Sequence, residues 1–397
     1  MTKLLLPRTE KTPMPLTLTM RKIHNYPKFL SLINQRNRFE GVSPKRILLK
    51  QPLSKMKIII SISLTTLLYA SSLVAEVKVD RAKLGMFQPI IDVAHNEANP
   101  INDAKIDLGR RLYYDKRLSL DHTVSCNSCH DLKSFGDDGL PTSIGIGQQR
   151  GGRSAPTVYN AAIHIAQFWD GRAPDVEAQA IGPITNPIEM GMPSEEYVVK
   201  VLRSIPGYLD HFKKAFPKQK EPLTYKNIGN AIGAFERKLL TPSRFDAYLK
   251  GEESALTEKE KVGLNTFVNK GCATCHNGMG VGGHLYQKLG LVKPWPTKDK
   301  GRAEVKGFEA LEGFFKVPSL RNITETGPYL HDGSIKSLEE MVKKMAEHQQ
   351  GLILTDAETA SIVTFLGSLK GEVDACFIEE PKPYPSSAKT PKPKKIK

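Results

Sequence analysis

Cysteine is scarce in this 397-residue chain, and its five residues are an odd number. Four of them fall into two copies of one short pattern, an arrangement that excludes a framework of several disulfides. Cys376 stands alone near the C-terminus, and the sequence predicts no role for it. The length is instead sufficient for two domains with hydrophobic cores of their own.

Acidic residues are almost absent from the two ends of the chain. Residues 1–57 contain 13 Lys and Arg against Glu10 and Glu40, and residues 382–397 contain six Lys and no acid. The remaining 38 basic and 40 acidic residues leave the body near −2, although the whole chain carries +15. A protein that binds nucleic acid carries its basic stripe on the folded domain, so nucleic-acid binding is excluded.

One apolar run stands out near the N-terminus. It extends from Ile58 to about Val74, follows Met56 and Lys57, and ends in small residues, which is the pattern of a secretory signal. We therefore expect residues 56–75 to be a signal peptide and residues 1–55 to be a non-native or disordered extension before it. The alternative is a membrane anchor, because about 17 apolar residues lie at the short limit for a span. Either reading places the body outside the cytoplasm, and we expect the periplasm.

Alternating strand patterns are also scarce, whereas helix signals are frequent. A hydroxyl residue followed three positions later by Glu predicts a helix start. This pattern occurs at Thr257 with Glu260, Ser337 with Glu340 and Thr355 with Glu358. Apolar residues at helical spacing follow Tyr225, and a similar amphipathic run covers residues 103–114. The first of these stripes consists of Ile228, Ile232, Phe235 and Leu239. The sequence therefore predicts an all-α body with long loops at residues 136–156 and 278–301.

The four paired cysteines form two CxxCH units, "SCNSCH" and "GCATCH". Their chemical residues are Cys126, Cys129 and His130 in the first unit, and Cys272, Cys275 and His276 in the second. In a helical turn these three positions share a face, so both thiols can bond to one haem while the imidazole reaches its iron. A zinc site needs four ligands in one cluster, and a thioredoxin-like redox pair needs a βαβ context that is absent. We therefore predict two covalently bound c-type haems, with His130 and His276 as iron ligands.

Each CxxCH unit is followed by roughly a hundred residues of helix and loop. We predict an N-terminal haem domain over residues 81–240 and a C-terminal haem domain over residues 251–372, with the boundary near residues 240–251. Residues 380–397 are rich in Lys and Pro and nearly free of apolar residues, which predicts a disordered tail.

Two longer blocks carry a resemblance to a known family. The run "APTVYNAAIHIAQFWDGRAPDVEAQAIGPITNPIEMGM" and the run "VPSLRNITETGPYLHDGSIKSLEEMV" resemble the bacterial di-haem cytochrome c peroxidases, as does the spacing of the CxxCH units. The resemblance covers roughly residues 84–369. It implies two cytochrome c-like domains, hydrogen peroxide as substrate, a small cytochrome c as electron donor and a homodimer.

The resemblance also implies roles for individual residues. Glu189 matches the family's acid–base residue, and a carboxylate can move a proton from one peroxide oxygen to the other. Gln179 matches an amide that orients peroxide, and Trp169 matches the aromatic residue between the two haems. Met345 matches the distal ligand of the C-terminal haem, with Met341 one turn earlier as a rival. A Met ligand raises the reduction potential relative to His.

A calcium site is implied less directly. Thr326 and Pro328 match positions whose backbone carbonyls help to bind calcium between the domains, and oxygen ligands suit that ion. The family's third ligand is an Asn, but this chain has Ser154 there. His331 is expected to make a structural hydrogen bond.

The chain departs from many family members at Ile146, where they carry a second His ligand to the N-terminal haem. We therefore expect that haem to have no protein ligand on its peroxide side, with His164 packed in a helix before Trp169. Two other functions stay open. A di-haem protein that only transfers electrons would not need Glu189 and Gln179, and a related enzyme that oxidises tryptophan residues of a partner carries Tyr where this chain has Met345.

Overall fold

A computed structural model describes residues 76–396, and the predicted signal segment and extension lie outside this range. Helices dominate it, as predicted, and the strands form one two-stranded antiparallel hairpin. The α-helices are α1 Arg81–Leu84, α2 Asp103–Tyr114, α3 Cys126–Cys129, α4 Val176–Thr185, α5 Glu195–Arg203, α6 Tyr208–Ala215, α7 Tyr225–Glu236, α8 Arg244–Leu249, α9 Glu258–Asn269, α10 Leu338–Gln350, α11 Asp356–Gly367 and α12 Ala375–Ile378. The strands are β1 Tyr286–Lys288 and β2 Phe314–Lys316, and short 3-10 turns occur at Lys116–Leu118, Leu132–Ser134, Ile146–Gln148, Ala161–Ile163, Glu253–Ala255, Cys272–Thr274 and Arg302–Glu304.

Helices begin at all three predicted capping signals, and the reciprocal capping box forms at two of them. Reciprocal capping boxes form at Thr257 before α9 and at Thr355 before α11. Ser337 caps α10 by accepting from the Glu340 N–H, but its hydroxyl donates to the Glu339 carboxylate and its own N–H makes no bond to the Glu340 carboxylate.

The described residues form two hydrophobic cores, each built around one close crossing of two helices. In the first core, α2 crosses α7 at Gly109, where a Cβ atom would lie 1.9 Å from the Ala231 carbonyl oxygen. In the second core, α9 crosses α11 at Gly263, where a Cβ atom would lie 2.1 Å from the Ser361 carbonyl oxygen. Only glycine permits such an approach, so both positions fix the backbone separation at their crossing.

The predicted stripe on α7 faces the first core. Ile228, Ile232 and Phe235 are fully buried, and Leu239 is buried just beyond the end of the helix. The α2 helix spans the residues that the amphipathic run predicted.

The two ends of the described chain depart from the predicted domain limits. Leu84 and Phe87, assigned to the N-terminal domain, pack in the second core, where the Phe87 ring lies 5.3 Å from Phe245. Val373, which follows the predicted end of the C-terminal domain at residue 372, belongs to the first core. The predicted boundary at residues 240–251 contains α8, a helix that contributes to the second core.

The Lys- and Pro-rich tail is ordered rather than disordered through residue 396. The Tyr384 ring packs 5.1 Å from Tyr208, and the Ser387 hydroxyl donates to the Ser204 carbonyl oxygen at 2.7 Å. Ile396 packs against Gly147 and the first core. Composition alone misjudged this segment because its few apolar and hydroxyl side chains find partners on the N-terminal core.

Within residues 76–396, no helix combines the length and apolar content that a bilayer span requires.

Candidate active site

The first CxxCH unit forms one helical turn and its cap. Ser125 caps α3, and the backbone N–H of His130 closes the turn on the Cys126 carbonyl oxygen at 3.0 Å. The Tyr113 hydroxyl donates to the His130 carbonyl oxygen at 2.6 Å, which attaches the turn to α2. Both thiols and the imidazole are only half-buried, whereas the preceding Val124 is buried. The local fold therefore gathers the predicted haem-attachment groups on one turn.

The second CxxCH unit is a 3-10 turn that begins after Gly271, a residue with φ of 80°. The His276 N–H again bonds to the Cys272 carbonyl oxygen at 3.0 Å. Cys272, Cys275 and His276 line a large and mostly apolar cavity, called here the C-terminal cavity, to which residues of the predicted N-terminal domain also contribute. Phe267, Ile362 and Leu366, which belong to the second core, also line this cavity.

The residues at both units fit c-type haem. Burial lowers the pKa of His130 and lowers the pKa of His276 to about 4, so both imidazoles are neutral at pH 7, the form that binds a metal. Nδ1 of each ring is buried without a hydrogen bond of standard geometry, although backbone carbonyls lie near both rings. Those carbonyls would orient the rings if the two imidazoles held haem iron. Burial also raises the pKa of Cys129 and of Cys272 to about 11, so both side chains are protonated thiols at pH 7.

Glu189 lies close to the first CxxCH unit, where its charge acts on the Cys129 thiol. Its turn is held tightly: the Ile146 N–H donates to the Glu189 carbonyl oxygen at 2.9 Å, and the Glu189 N–H donates to Asn186 at 3.1 Å. Burial raises the pKa of the Glu189 carboxyl, while Arg172 and the Asn186 side chain act in the opposite direction. A half-buried carboxyl with a raised pKa near the predicted iron ligand is suited to proton transfer.

Arg172 lies near Glu189, whose pKa it lowers, and Gln179 follows it in sequence on α4. Gln179 is half-buried on α4, which Asp175 caps by accepting from the Ala178 N–H. The Arg172 guanidinium lies 3.4 Å from the centre of the Phe168 ring and pairs with Asp170 at 2.9 Å. Sequence reasoning passed over Arg172, although it belongs to the quoted "WDGR" block.

Trp169 lies at the wall of the C-terminal cavity. Its Nε1–H donates to the Ser154 carbonyl oxygen at 2.9 Å, and its own carbonyl oxygen accepts from the Lys316 N–H at 2.8 Å. The indole is therefore fixed between the loop after the first CxxCH unit and strand β2.

Met345 and Met341 both line the cavity that contains His276, one helical turn apart on α10. Met341 is buried in the second core, and Met345 is partly buried against it. The fold thus brings the predicted ligand and its rival to the same cavity, and the choice of Met345 stays a prediction.

The three residues predicted for calcium, Ser154, Thr326 and Pro328, also line this cavity. Next to them, His331 accepts the Ser154 N–H at its carbonyl oxygen, and its Nε2 lies 3.2 Å from the Thr297 hydroxyl. His331 thus makes the structural hydrogen bonds that the sequence predicted. In the described part of the chain, no three His, Cys, Asp or Glu side chains gather as a metal site would require.

Ile146 is buried and packs against Gly191, where a Cβ atom would lie 2.1 Å from the Ile146 Cδ1. His164 was expected in a helix before Trp169, and this was wrong. It follows the 3-10 turn Ala161–Ile163 in extended conformation and lines the C-terminal cavity. Asn160 and Phe168 both have positive φ, which breaks the segment before and after His164.

Glu236 and Lys316 are buried ionisable residues that the sequence did not predict. Burial raises the pKa of Glu236 to about 8, and this carboxyl acts on the Cys126 thiol. Burial lowers the pKa of Lys316 to about 8, and Lys316 lines the C-terminal cavity. No local pattern marks either residue, because the burial arises from tertiary packing.

Comparison with known proteins shows which family this chain is related to. The profile of the family described as di-haem cytochrome c peroxidase matches residues 103–254, and that of cytochrome c matches residues 262–370. The chain is 42% identical to a cytochrome c551 peroxidase of Pseudomonas aeruginosa, covering 78% of this chain and 90% of that protein. The chain belongs to the di-haem cytochrome c peroxidase family. This membership confirms the resemblance drawn from the sequence, and with it the two c-type haems.

Two further comparisons agree with the assignment to this peroxidase family. A cytochrome c551 peroxidase of Nitrosomonas europaea is 46% identical, covering 69% of this chain and 82% of that protein. The crystal structure of a MauG-like protein associated with microbial copper homeostasis has a TM-score of 0.65 and 29% identity, covering 79% of this chain and 99% of that one. The mostly helical fold predicted from the sequence is confirmed by the structure and the two family profiles, and the peroxidase activity by the two cytochrome c551 peroxidases.

Proposed function

We propose that this chain reduces hydrogen peroxide to water at the first CxxCH unit, with two electrons that enter from a small cytochrome c at the second. The observation that carries the proposal is the position of Glu189, a partly buried carboxyl with a raised pKa beside the Cys129–His130 turn. A protein that only transfers electrons has no use for such a group.

His130 and His276 would hold the two haem irons, and the thiols of Cys126, Cys129, Cys272 and Cys275 would hold the porphyrins. When bound, the haems supply the redox chemistry, accepting electrons and activating the peroxide O–O bond. Glu189 takes a proton from one peroxide oxygen and delivers it to the other, so that the departing oxygen leaves as water. Gln179 orients the peroxide by hydrogen bonding, and two further protons complete the second water.

Trp169 lies on the proposed route between the two units. Its indole is fixed at Nε1 by Ser154, and its backbone by Lys316, so the ring keeps one position. Met345, which lines the C-terminal cavity, would be an iron ligand there, and a thioether ligand would favour the reduced state and so the entry of electrons.

We propose that one calcium ion binds at Ser154, Thr326 and Pro328, through backbone carbonyls and the Ser154 hydroxyl in place of an Asn amide. Oxygen ligands of this kind suit calcium. Calcium content of the dialysed holoprotein decides the point, and a protein without stoichiometric calcium contradicts it.

We also propose that residues 56–75 direct the protein to the periplasm and that the mature protein is a homodimer. The signal pattern and the family resemblance support these two statements. N-terminal sequencing of the secreted protein and light scattering of the purified protein test them.

Stopped-flow mixing of the reduced holoprotein with peroxide, with and without reduced cytochrome c, tests the proposed reaction. We expect oxidation of two molecules of cytochrome c per peroxide. Oxidation of the haems without turnover of cytochrome c would indicate the tryptophan-oxidising alternative, and no reaction with peroxide would indicate a protein that only transfers electrons.

A further inference from the structure

Lys316 is a buried lysine without an acidic partner. It ends strand β2, the residue is 6% exposed, and it lines the cavity that contains Cys272, Cys275 and His276. No ion pair or side-chain hydrogen bond forms at its ammonium within residues 76–396, and burial is the single cause that shifts its pKa, to about 8. The group therefore remains charged at pH 7 in an apolar wall. An isolated buried charge is costly, so an anion belongs beside it.

A second unpaired group lies in the same wall. Nε2 of His164 is buried and makes no hydrogen bond. Burial and then the charge of Lys316 lower the pKa of His164 well below its usual range, which places the ring and the ammonium near one another. Gly283 makes room for the ring, because a Cβ atom there would lie 2.3 Å from the His164 Cδ2. Lys316 and His164 thus line one cavity, and neither the ammonium nor His164 Nε2 is hydrogen-bonded to an acceptor in the described residues.

The haem predicted for this cavity carries groups that can accept hydrogen bonds from Lys316 and His164. A c-type haem carries two propionate carboxylates, and the thioether and iron ligands of the second unit line this same cavity. We propose that Lys316, assisted by His164, binds the propionate carboxylates of the C-terminal haem. An ammonium–carboxylate hydrogen bond is charge-assisted. It pairs the buried lysine with the carboxylate, so that neither charge stays unpaired in the apolar wall. This inference rests on the proposed haem attachment at Cys272 and Cys275.

The position of Lys316 gives this contact a further consequence. Its backbone N–H bonds to the Trp169 carbonyl oxygen, so the charge lies beside the proposed electron route. A positive charge near an iron favours the state with one more electron, because reduction lowers the positive charge of the iron. Lys316 therefore raises the reduction potential of the C-terminal haem.

Two measurements on the holoprotein test the contact without using peroxide turnover. The first is the propionate bending mode of the C-terminal haem in resonance Raman spectra, and the second is redox titration of that haem. In Lys316→Met we expect the mode to shift and the equilibrium constant for reduction to fall about tenfold, equivalent to about 59 mV for one electron. Lys316→Arg keeps the charge and should retain both properties. Lys288→Met, an exposed lysine at the end of the paired strand β1, should change neither.

The outcomes separate this inference from the proposed function. A wild-type protein without haem on Cys272 and Cys275, seen by mass spectrometry, would overturn the proposed function and the inference together. Haem-loaded Lys316→Met with an unchanged propionate mode and potential would overturn the inference alone. Should that variant not attach haem, Lys316→Gln is measured in its place, because it removes the charge but keeps a polar group that tolerates the site.

Discussion

Burial raises the pKa of the Glu189 carboxyl, and Arg172 and Asn186 only partly offset that effect. The proton-transfer role requires the carboxylate, so kcat/KM should fall as the pH falls through the Glu189 pKa. This acid limb should lie above the ordinary Glu value of about 4.3. Glu189→Gln keeps the shape but removes the base, and we expect peroxide turnover about 10²–10⁴-fold lower and the acid limb lost.

The spectra of both haems should remain unchanged in Glu189→Gln, since the substitution removes no haem ligand. Glu196→Gln, on the exposed first turn of α5, serves as the matched control and should keep wild-type turnover. Turnover near the wild-type value in Glu189→Gln would remove the assigned role.

The two methionines on α10 can be separated by their effect on one potential. Met345→His replaces a thioether by an imidazole and should lower the potential of the C-terminal haem, because Met raises it relative to His. Met341→Leu should leave the potential unchanged. Redox titration gives both values, and the reverse pattern would identify Met341 as the ligand.

At the scale of elements, the tail is held to the N-terminal core by Tyr384. Its ring packs on Tyr208, and its hydroxyl lies 2.9 Å from Nδ1 of His211. Tyr384→Ala loses an aromatic pair and a hydrogen bond, so the free energy of unfolding should fall by about 1–3 kcal/mol. Lys389→Ala, exposed on the same tail, should change it by less than about 0.5 kcal/mol. Urea denaturation measures both, and equal effects would show that the tail does not pack through Tyr384.

The residue at position 146 leads us to expect an N-terminal haem without a protein ligand on its peroxide side. Ile146 has no lone pair for iron and is buried against Gly191. His164 lines the C-terminal cavity, which contains the second CxxCH unit. We therefore expect electron paramagnetic resonance of the fully oxidised protein to show a high-spin N-terminal haem, with reduction of the second haem unnecessary for reaction with peroxide. Ile146→His should introduce a low-spin signal. A low-spin bis-histidine signal in the wild type would contradict the expectation.

Local patterns predicted the helices well because helix signals are local. Thr257 and Thr355 cap the helices that their capping boxes predict, and the stripe of α7 faces the core. The tail escaped prediction because its order depends on Tyr208 and Ser204, which are distant in sequence. Leu84 escaped it for the same reason, since it packs on a core formed by residues far along the chain.

The candidate site shows the same division at the scale of the whole molecule. The CxxCH units and the Glu189 block were found in the sequence because covalent attachment and family resemblance leave contiguous patterns. The unpaired charge of Lys316 has no such pattern, since it exists only where strand β2 meets the C-terminal cavity. Residues whose proposed role depends on burial, such as Lys316, could therefore be recognised only from the fold.

In the proposed function, each CxxCH unit carries out one part of the reaction. Peroxide is reduced beside Glu189, and electrons enter beside Met345. Transient kinetics of Glu189→Gln and Met345→His, measured side by side with reduced cytochrome c and with peroxide, test this division most directly. We predict that Glu189→Gln still accepts electrons from cytochrome c at the wild-type rate but reacts slowly with peroxide. Met345→His should accept those electrons slowly and still react with peroxide when reduced chemically. Loss of the same step in both variants would contradict the division.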